Sequence, residues 1–174
     1  MAVETERKFL LADDGWKTSV IKSIKMRQNY LSYAPTVRVR LAGDQAFVTI
    51  KSATKGCSRA EYEYAIPPED AEEMLDTLCR GHEVCKTRHV VIFAGKTWEI
   101  DVFEGENAGL ILAEIELENE TETFDLPPWL GEEVTGQPAY YNGALARTPW
   151  SLRQPKFIKK SPHSCRICAG GMVI

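Results

Sequence analysis

No stretch of this 174-residue chain approaches the ~20 consecutive apolar residues that a membrane-spanning helix requires. Positive charge is not in surplus either. Lysine and arginine number 21 against 25 aspartates and glutamates, a net charge of −4, so bulk charge cannot drive nucleic-acid binding and any anion site must be local. The opening MAVETERKFLL is charged from its fourth residue and holds no apolar signal region. A cytoplasmic location is therefore expected, with neither membrane nor nucleic acid as partner. Cysteine is sparse, at five residues, and Cys57, Cys79 and Cys85 stand apart and read as reduced thiols. Cys165 and Cys168 form a CxxC close to His163. A structural zinc site needs about four ligands and no second Cys/His pair is available, so the motif reads as an incidental tail feature.

What is present is 44% hydrophobic and 26% charged residues, an ordinary globular composition at a length that suits one domain. Period-2 alternation predicts eight strands, over residues 3–11, 28–33, 36–43, 45–52, 58–66, 83–93, 97–104 and 110–118. Between the fifth and sixth lies PPEDAEEMLDTLCRG, which opens on proline, carries acids in its first turn and is followed by glycine. That pattern predicts a helix. A weaker helical signal covers residues 13–26, and residues 127–147 begin as a turn-rich loop and finish helically near Tyr140. Beyond Thr148 apolar periodicity stops, so a domain over residues 1–147 with a loosely held tail at 148–174 is expected. Trp16, Trp98, Trp129 and Trp150 fit packing better than base stacking, and Tyr30 fits the core.

Eight short strands with few helices fit an up-and-down barrel or a sandwich. In a strand, residues of one parity share a face. Glu4, Glu6 and Lys8 therefore share one, as do Arg38 and Arg40, Glu61 and Glu63, Lys86 and Arg88, Glu99 and Asp101, and Glu114, Glu116 and Glu118. Lys51 lies opposite Val48 and Ile50, and Arg59 shares parity with Glu61. Each strand alone reads as the wet side of a sandwich laced with ion pairs. Taken together the pattern reads otherwise. Like charges about 7 Å apart on one face repel, and a sequence shaped only for stability has little reason to repeat such pairs. A polyanion with bound cations accounts for both signs: basic pairs hold phosphates, and acidic pairs hold the metal ions that bridge them. The expected fold is mainly β (α+β), an eight-stranded antiparallel β-barrel closed into a charged tunnel with a few flanking helices.

Glu4-Thr5-Glu6-Arg7-Lys8 resembles the ExExK signature of the CYTH superfamily, the triphosphate tunnel metalloenzymes. The likeness runs from about residue 3 to 147 and continues in VRVRL at 37–41, TIKS at 49–52, SRAEYE at 58–63, CKTR at 85–88, EIDVFEG at 99–105, AEIELE at 113–118 and GEEVT at 131–135. The resemblance implies that Glu4, Glu6, Glu114 and Glu116 coordinate Mg²⁺ or Mn²⁺, with Glu61 and Glu63 as lesser candidates for a metal or for orienting the basic residues. It implies that Lys8, Arg38, Arg40, Lys51, Arg59, Lys86 and Arg88 line the phosphate path. Lys8 or Lys86 would assist a water attacking the terminal phosphorus, as base only if its pKa is depressed.

The nearest likeness is to short bacterial members that favour inorganic tripolyphosphate; thiamine triphosphate and nucleoside triphosphates are the related substrates. The adenylate-cyclising class carries a His-Phe pair before ExExK, and only Met1, Ala2 and Val3 precede Glu4 here. A non-catalytic polyphosphate-binding module would keep its cations and lose its carboxylates, and these are kept. A small polyanionic substrate is the expected partner, and a homodimer is compatible with the sequence.

Overall fold

Alternating polarity and short turns organise the chain into one antiparallel sheet. The computed structural model describes residues 5–52, 60–119 and 121–153. Its strands are β1 (Thr5–Leu11), β2 (Val20–Tyr33), β3 (Thr36–Ala42), β4 (Gln45–Lys51), β5 (Glu61–Ile66), β6 (Arg80–Phe93), β7 (Lys96–Phe103), β8 (Ile111–Leu117) and β9 (Leu130–Glu133). They lie in the order β5-β4-β3-β2-β6-β7-β8-β1-β9, with every neighbouring pair antiparallel. The barrel-like tunnel fold is thus built from nine strands instead of eight, and β5 and β9 form the two edges of the sheet. The β6–β7 hairpin turns on Ala94 and Gly95, with φ of 47° and 76°, the positive values a two-residue turn requires to match the strand twist.

Three apolar clusters pack against the sheet. The outer face of β1, β6, β7 and β8 buries Phe9, Val91, Trp98, Ile100, Ala113 and Ile115 beneath Trp16 and Trp129. On the outer face of β3 and β4, Val39 and Ala46 are covered by Ala71 and Leu75 of helix α1 (Pro68–Thr77). This is the helix expected from PPEDAEEMLDTLCRG. Proline opens it and Glu69 and Asp70 face its positive end. The third cluster, Tyr30, Val84, Phe103 and Leu112 with Leu145 and Ala146 of helix α2 (Asn142–Arg147), lies on the inner face. Strand register places these residues on the same side as the charged rows, so α2 plugs one end of the sheet's concave side. A final turn of helix, α3 (Trp150–Arg153), brings Trp150 against Tyr140.

The helix expected over residues 13–26 is corrected. A 3-10 turn at Gly15–Ser19 is followed directly by β2, which begins at Val20 and not at residue 28. Alternation is broken in VIKSIKMRQN by the adjacent Val20 and Ile21, but a ladder with β6 from Val20 opposite Val91 to Tyr30 opposite Arg80 supplies the pairing that local helical preference lacks. Strand β9, inside a stretch expected to be loop, is held to β1 by Leu130 opposite Leu11 and Glu133 opposite Phe9. Glu4, Arg59 and the segment with His163, Cys165 and Cys168 lie outside the described residues. No helix among the described residues is long and apolar enough to cross a membrane.

Candidate active site

Cross-strand register assembles one charged surface. Lys8 on β1 faces Glu114 on β8, which faces Glu99 on β7; Asp101 on β7 faces Arg88 on β6. On the other side Gln28 on β2 faces Arg40 on β3, Arg38 faces Thr49 on β4, Thr49 faces Glu63 on β5, and Lys51 faces Glu61. Directly opposed residues share a face. The concave face therefore holds nearly every sequence-expected site residue, around a cavity of about 610 Å³ lined by Arg38, Arg40, Lys51, Lys86 and Arg88 and by Glu61, Glu63, Glu99, Glu114 and Glu116.

Two ionic networks divide the wall. In the first, Arg88 is the hub. It donates through Nε and Nη2 to the two oxygens of Asp101, both at 2.7 Å, and also to Glu114 Oε2 at 2.9 Å and to Glu99. Lys86 donates to the same Asp101, and both are inaccessible, at 2% and 0% exposure. Lys8 Nζ lies 2.5 Å from Glu114 Oε1 and 3.0 Å from Glu6 Oε1. In the second network Glu63 accepts from Arg40 at 3.1 Å, from Arg38 at 3.5 Å and from the Thr49 hydroxyl at 2.7 Å. Lys51 Nζ pairs with Glu61 at 2.7 Å. Glu61 and Glu63 thus serve the basic residues directly.

Burial and partners separate groups that the sequence treats alike. Burial opposes the charge on Lys8, but Glu114 and then Glu6 outweigh it, and its pKa rises. Lys86 moves the other way. Full burial pushes it down and the neighbouring Arg88 adds to this, while Asp101 opposes. Asp101 remains ionised because Lys86 and the bidentate Arg88 overcome its burial. Glu114 is likewise lowered against burial and the charge of Asp101 by Lys8, Lys86 and Arg88. Glu99 is raised by burial. Arg40 is lowered by burial and by Arg38, and the Nε atoms of both arginines have no hydrogen-bond partner among the described residues.

The carboxylates Glu6, Glu114 and Glu116 supply hard oxygen donors of the kind that Mg²⁺ and Mn²⁺ prefer. Glu6 lies directly across β1–β8 from Glu116, a like-charged pairing that is unfavourable without a cation between them. The donor chemistry therefore fits a divalent ion. Among the described residues no three His, Cys, Asp or Glu side chains are gathered closely enough to ligate one, since the ammonium of Lys8 spans Glu6 and Glu114. In the sequence the Glu99/Asp101 pair reads only as one of the acidic pairs that hold metal ions, whereas Asp101 anchors Lys86 and Arg88; its parity across from those cations was the available signal. Gln28 and Asn142 line the same cavity, and as neutral residues they gave no signal.

Residues 2–144 match the model of the CYTH domain. An inorganic triphosphatase of Acetivibrio thermocellus is 43% identical over 152 residues, 86% of this chain and 97% of the relative. An inorganic triphosphatase of Nitrosomonas europaea is 40% identical over 150 residues, 82% of this chain and 96% of the relative. The crystal structure of the inorganic triphosphatase NE1496 superposes with a TM-score of 0.63 at 36% identity, covering 89% of this chain and 98% of that one. The likeness runs across almost the whole length of these relatives, and the chain that builds this concave face of paired cations and carboxylates belongs to the CYTH family.

Proposed function

We propose that this protein is a metal-dependent triphosphatase that hydrolyses inorganic tripolyphosphate to diphosphate and phosphate within the concave cavity. The observation that carries the reading is the row of five cations, Arg38, Arg40, Lys51, Lys86 and Arg88, facing one cavity beside the carboxylates of β1 and β8. Such a row suits a chain of phosphates, and no aromatic side chain on which a base could stack is among the described lining residues. The relatives named inorganic triphosphatase support the substrate class.

Arg38 and Arg40 bind phosphoryl oxygens through guanidinium N–H groups, including the Nε atoms that have no protein partner among the described residues. Lys51 extends this path. Glu6, Glu114 and Glu116, with Glu4, would hold Mg²⁺ or Mn²⁺, which when bound lowers the pKa of water and neutralises phosphoryl charge. Lys8, kept protonated by Glu114 and Glu6, offers positive charge to the phosphoryl group as charge develops. Lys86 is the better proton acceptor of the two lysines, because full burial and the adjacent Arg88 oppose its charge, and the Asp101 to which it donates is shared with the bidentate Arg88. With Lys86 as the neutral amine, water oxygen attacks the terminal phosphorus, the water's proton passes to Lys86 Nζ to form the ammonium, and the bridging P–O bond breaks to release diphosphate.

The test is a phosphate-release panel on tripolyphosphate, thiamine triphosphate and ATP, in EDTA and with Mg²⁺ or Mn²⁺ restored. Tripolyphosphate should turn over fastest, only with metal. Full activity after rigorous chelation would end the metal-dependent reading, and a higher kcat/KM for ATP would end the substrate assignment.

A further inference from the structure

Every cation whose contacts line the cavity is already engaged by a carboxylate of the protein itself. Glu63 takes Arg38 and Arg40, Glu61 takes Lys51, Asp101 takes Lys86, and Arg88 is shared among three acids. A polyanion must compete with each of these. Gln28 differs. It is on the cavity face of β2, 1% exposed, opposite Arg40 on one side and Val84 on the other, where the charged rows give way to the apolar end under α2. Its amide nitrogen, Nε2, has no hydrogen-bond partner among the described residues.

Buried amide donors are nearly always satisfied, because leaving one without a partner costs its full desolvation. Packing alone gives no reason for an amide here. Met26 and Tyr30 flank Gln28 on the same face of the strand, and a methionine at position 28 would fill the same space without a stranded donor. The donor is also held where anions are expected, beside Arg40 and within the wall that carries Lys86 and Arg88. Being neutral, it is not captured by the internal carboxylates.

We propose that Gln28 is a substrate-binding residue whose Nε2–H donates to a phosphoryl oxygen of the bound polyphosphate, a neutral contact in a wall dominated by charge. The assignment rests on the triphosphatase reading above. It gives the chain a contact that orients a phosphoryl group without adding charge, so it survives where the ionic contacts are screened by salt.

Gln28→Met removes the donor at similar volume, and Gln28→Glu keeps the shape but offers only acceptors and a negative charge. Two readouts are needed: hydrolysis of tripolyphosphate with metal, and the rise in melting temperature on adding tripolyphosphate in EDTA. Gln28→Met should melt at or above the wild-type temperature without ligand, since an unsatisfied donor is gone. Its kcat/KM should fall roughly 10- to 100-fold, the range for one hydrogen bond to a charged group, and its ligand-induced melting shift should shrink. Gln28→Glu should lose more of both. If wild type turns over and Gln28→Met keeps wild-type kcat/KM and melting shift, Gln28 is not a substrate contact, and the triphosphatase reading stands. A Gln28→Met protein that melts lower yet binds unchanged assigns the residue to packing and overturns the proposal. A wild type that is neither active on tripolyphosphate nor stabilised by it overturns both readings. A wild type that is stabilised without turnover overturns only the hydrolytic reading, and the melting shifts still decide Gln28.

Discussion

Glu63 illustrates how one side chain holds a phosphate site ready. Its two oxygens accept from Arg38 and Arg40, which lie close enough to lower the pKa of Arg40. Without a substrate the carboxylate offsets that repulsion; with one, it competes for the same guanidinium groups. Glu63→Gln should therefore lower the stability of the ligand-free protein by about 1–3 kcal/mol and also lower KM for tripolyphosphate. Thermal melting and steady-state kinetics measure the two. A KM that rises, together with a weaker response to added Mg²⁺, would instead assign Glu63 to metal binding. The same logic separates Lys8 from Lys86, identical side chains driven in opposite directions by their surroundings.

Among the elements, α2 decides whether the concave face is a tunnel open at both ends or a pocket. It packs through Leu145 and Ala146 onto Val84 and Tyr30, and Asn142 at its start reaches the cavity lining. The approach is close at Gly81, the second residue of β6. A Cβ there would meet the carbonyl oxygen of Ala146 at 2.7 Å and the Tyr33 hydroxyl at 3.1 Å, and its φ of +91° disfavours any other residue. Gly81→Ala should cost about 1–3 kcal/mol, a melting drop of several degrees, and raise KM as α2 is pushed from its seat. Unchanged KM with lowered stability would show that α2 closes the cavity without shaping it. Helix α1 has no such link to the site, since Ala71 and Leu75 cover the outer face.

For the molecule as a whole, the concave face carries interlocked cations and anions that a polyphosphate should bind more tightly than water does. Tripolyphosphate added in EDTA should raise the melting temperature. At about 100 times the dissociation constant, mass action gives about 2.7 kcal/mol, or roughly 5–10 °C for a domain of this size. The double change Arg38→Ala, Arg40→Ala should leave a folded protein, because neither side chain belongs to an apolar cluster, and should remove most of that shift. Equal shifts in wild type and the double mutant would place phosphate binding elsewhere on the surface.

Much of this was legible in the chain by itself, wherever the physics is local. Strand parity put Arg38 with Arg40, Lys86 with Arg88 and Glu114 with Glu116 on shared faces, and proline, acids and glycine bounded α1. Those readings depend on neighbours two to four residues away. Contacts between distant strands are not encoded that way. That Lys8 meets Glu114, that Glu63 serves both Arg38 and Arg40, and that Asp101 anchors Lys86 and Arg88 follow from the order of nine strands in the folded sheet. Residues 20–26 became strand because β6 offered a ladder along their whole length, a tertiary partner that local helical preference could not outweigh. Gln28 carries no charge to betray it. Only when β2, β3 and β6 meet does its amide become a buried, unpartnered donor on a residue that lines a cavity of cations, because burial and the lack of a partner are properties of the packed molecule and not of the chain.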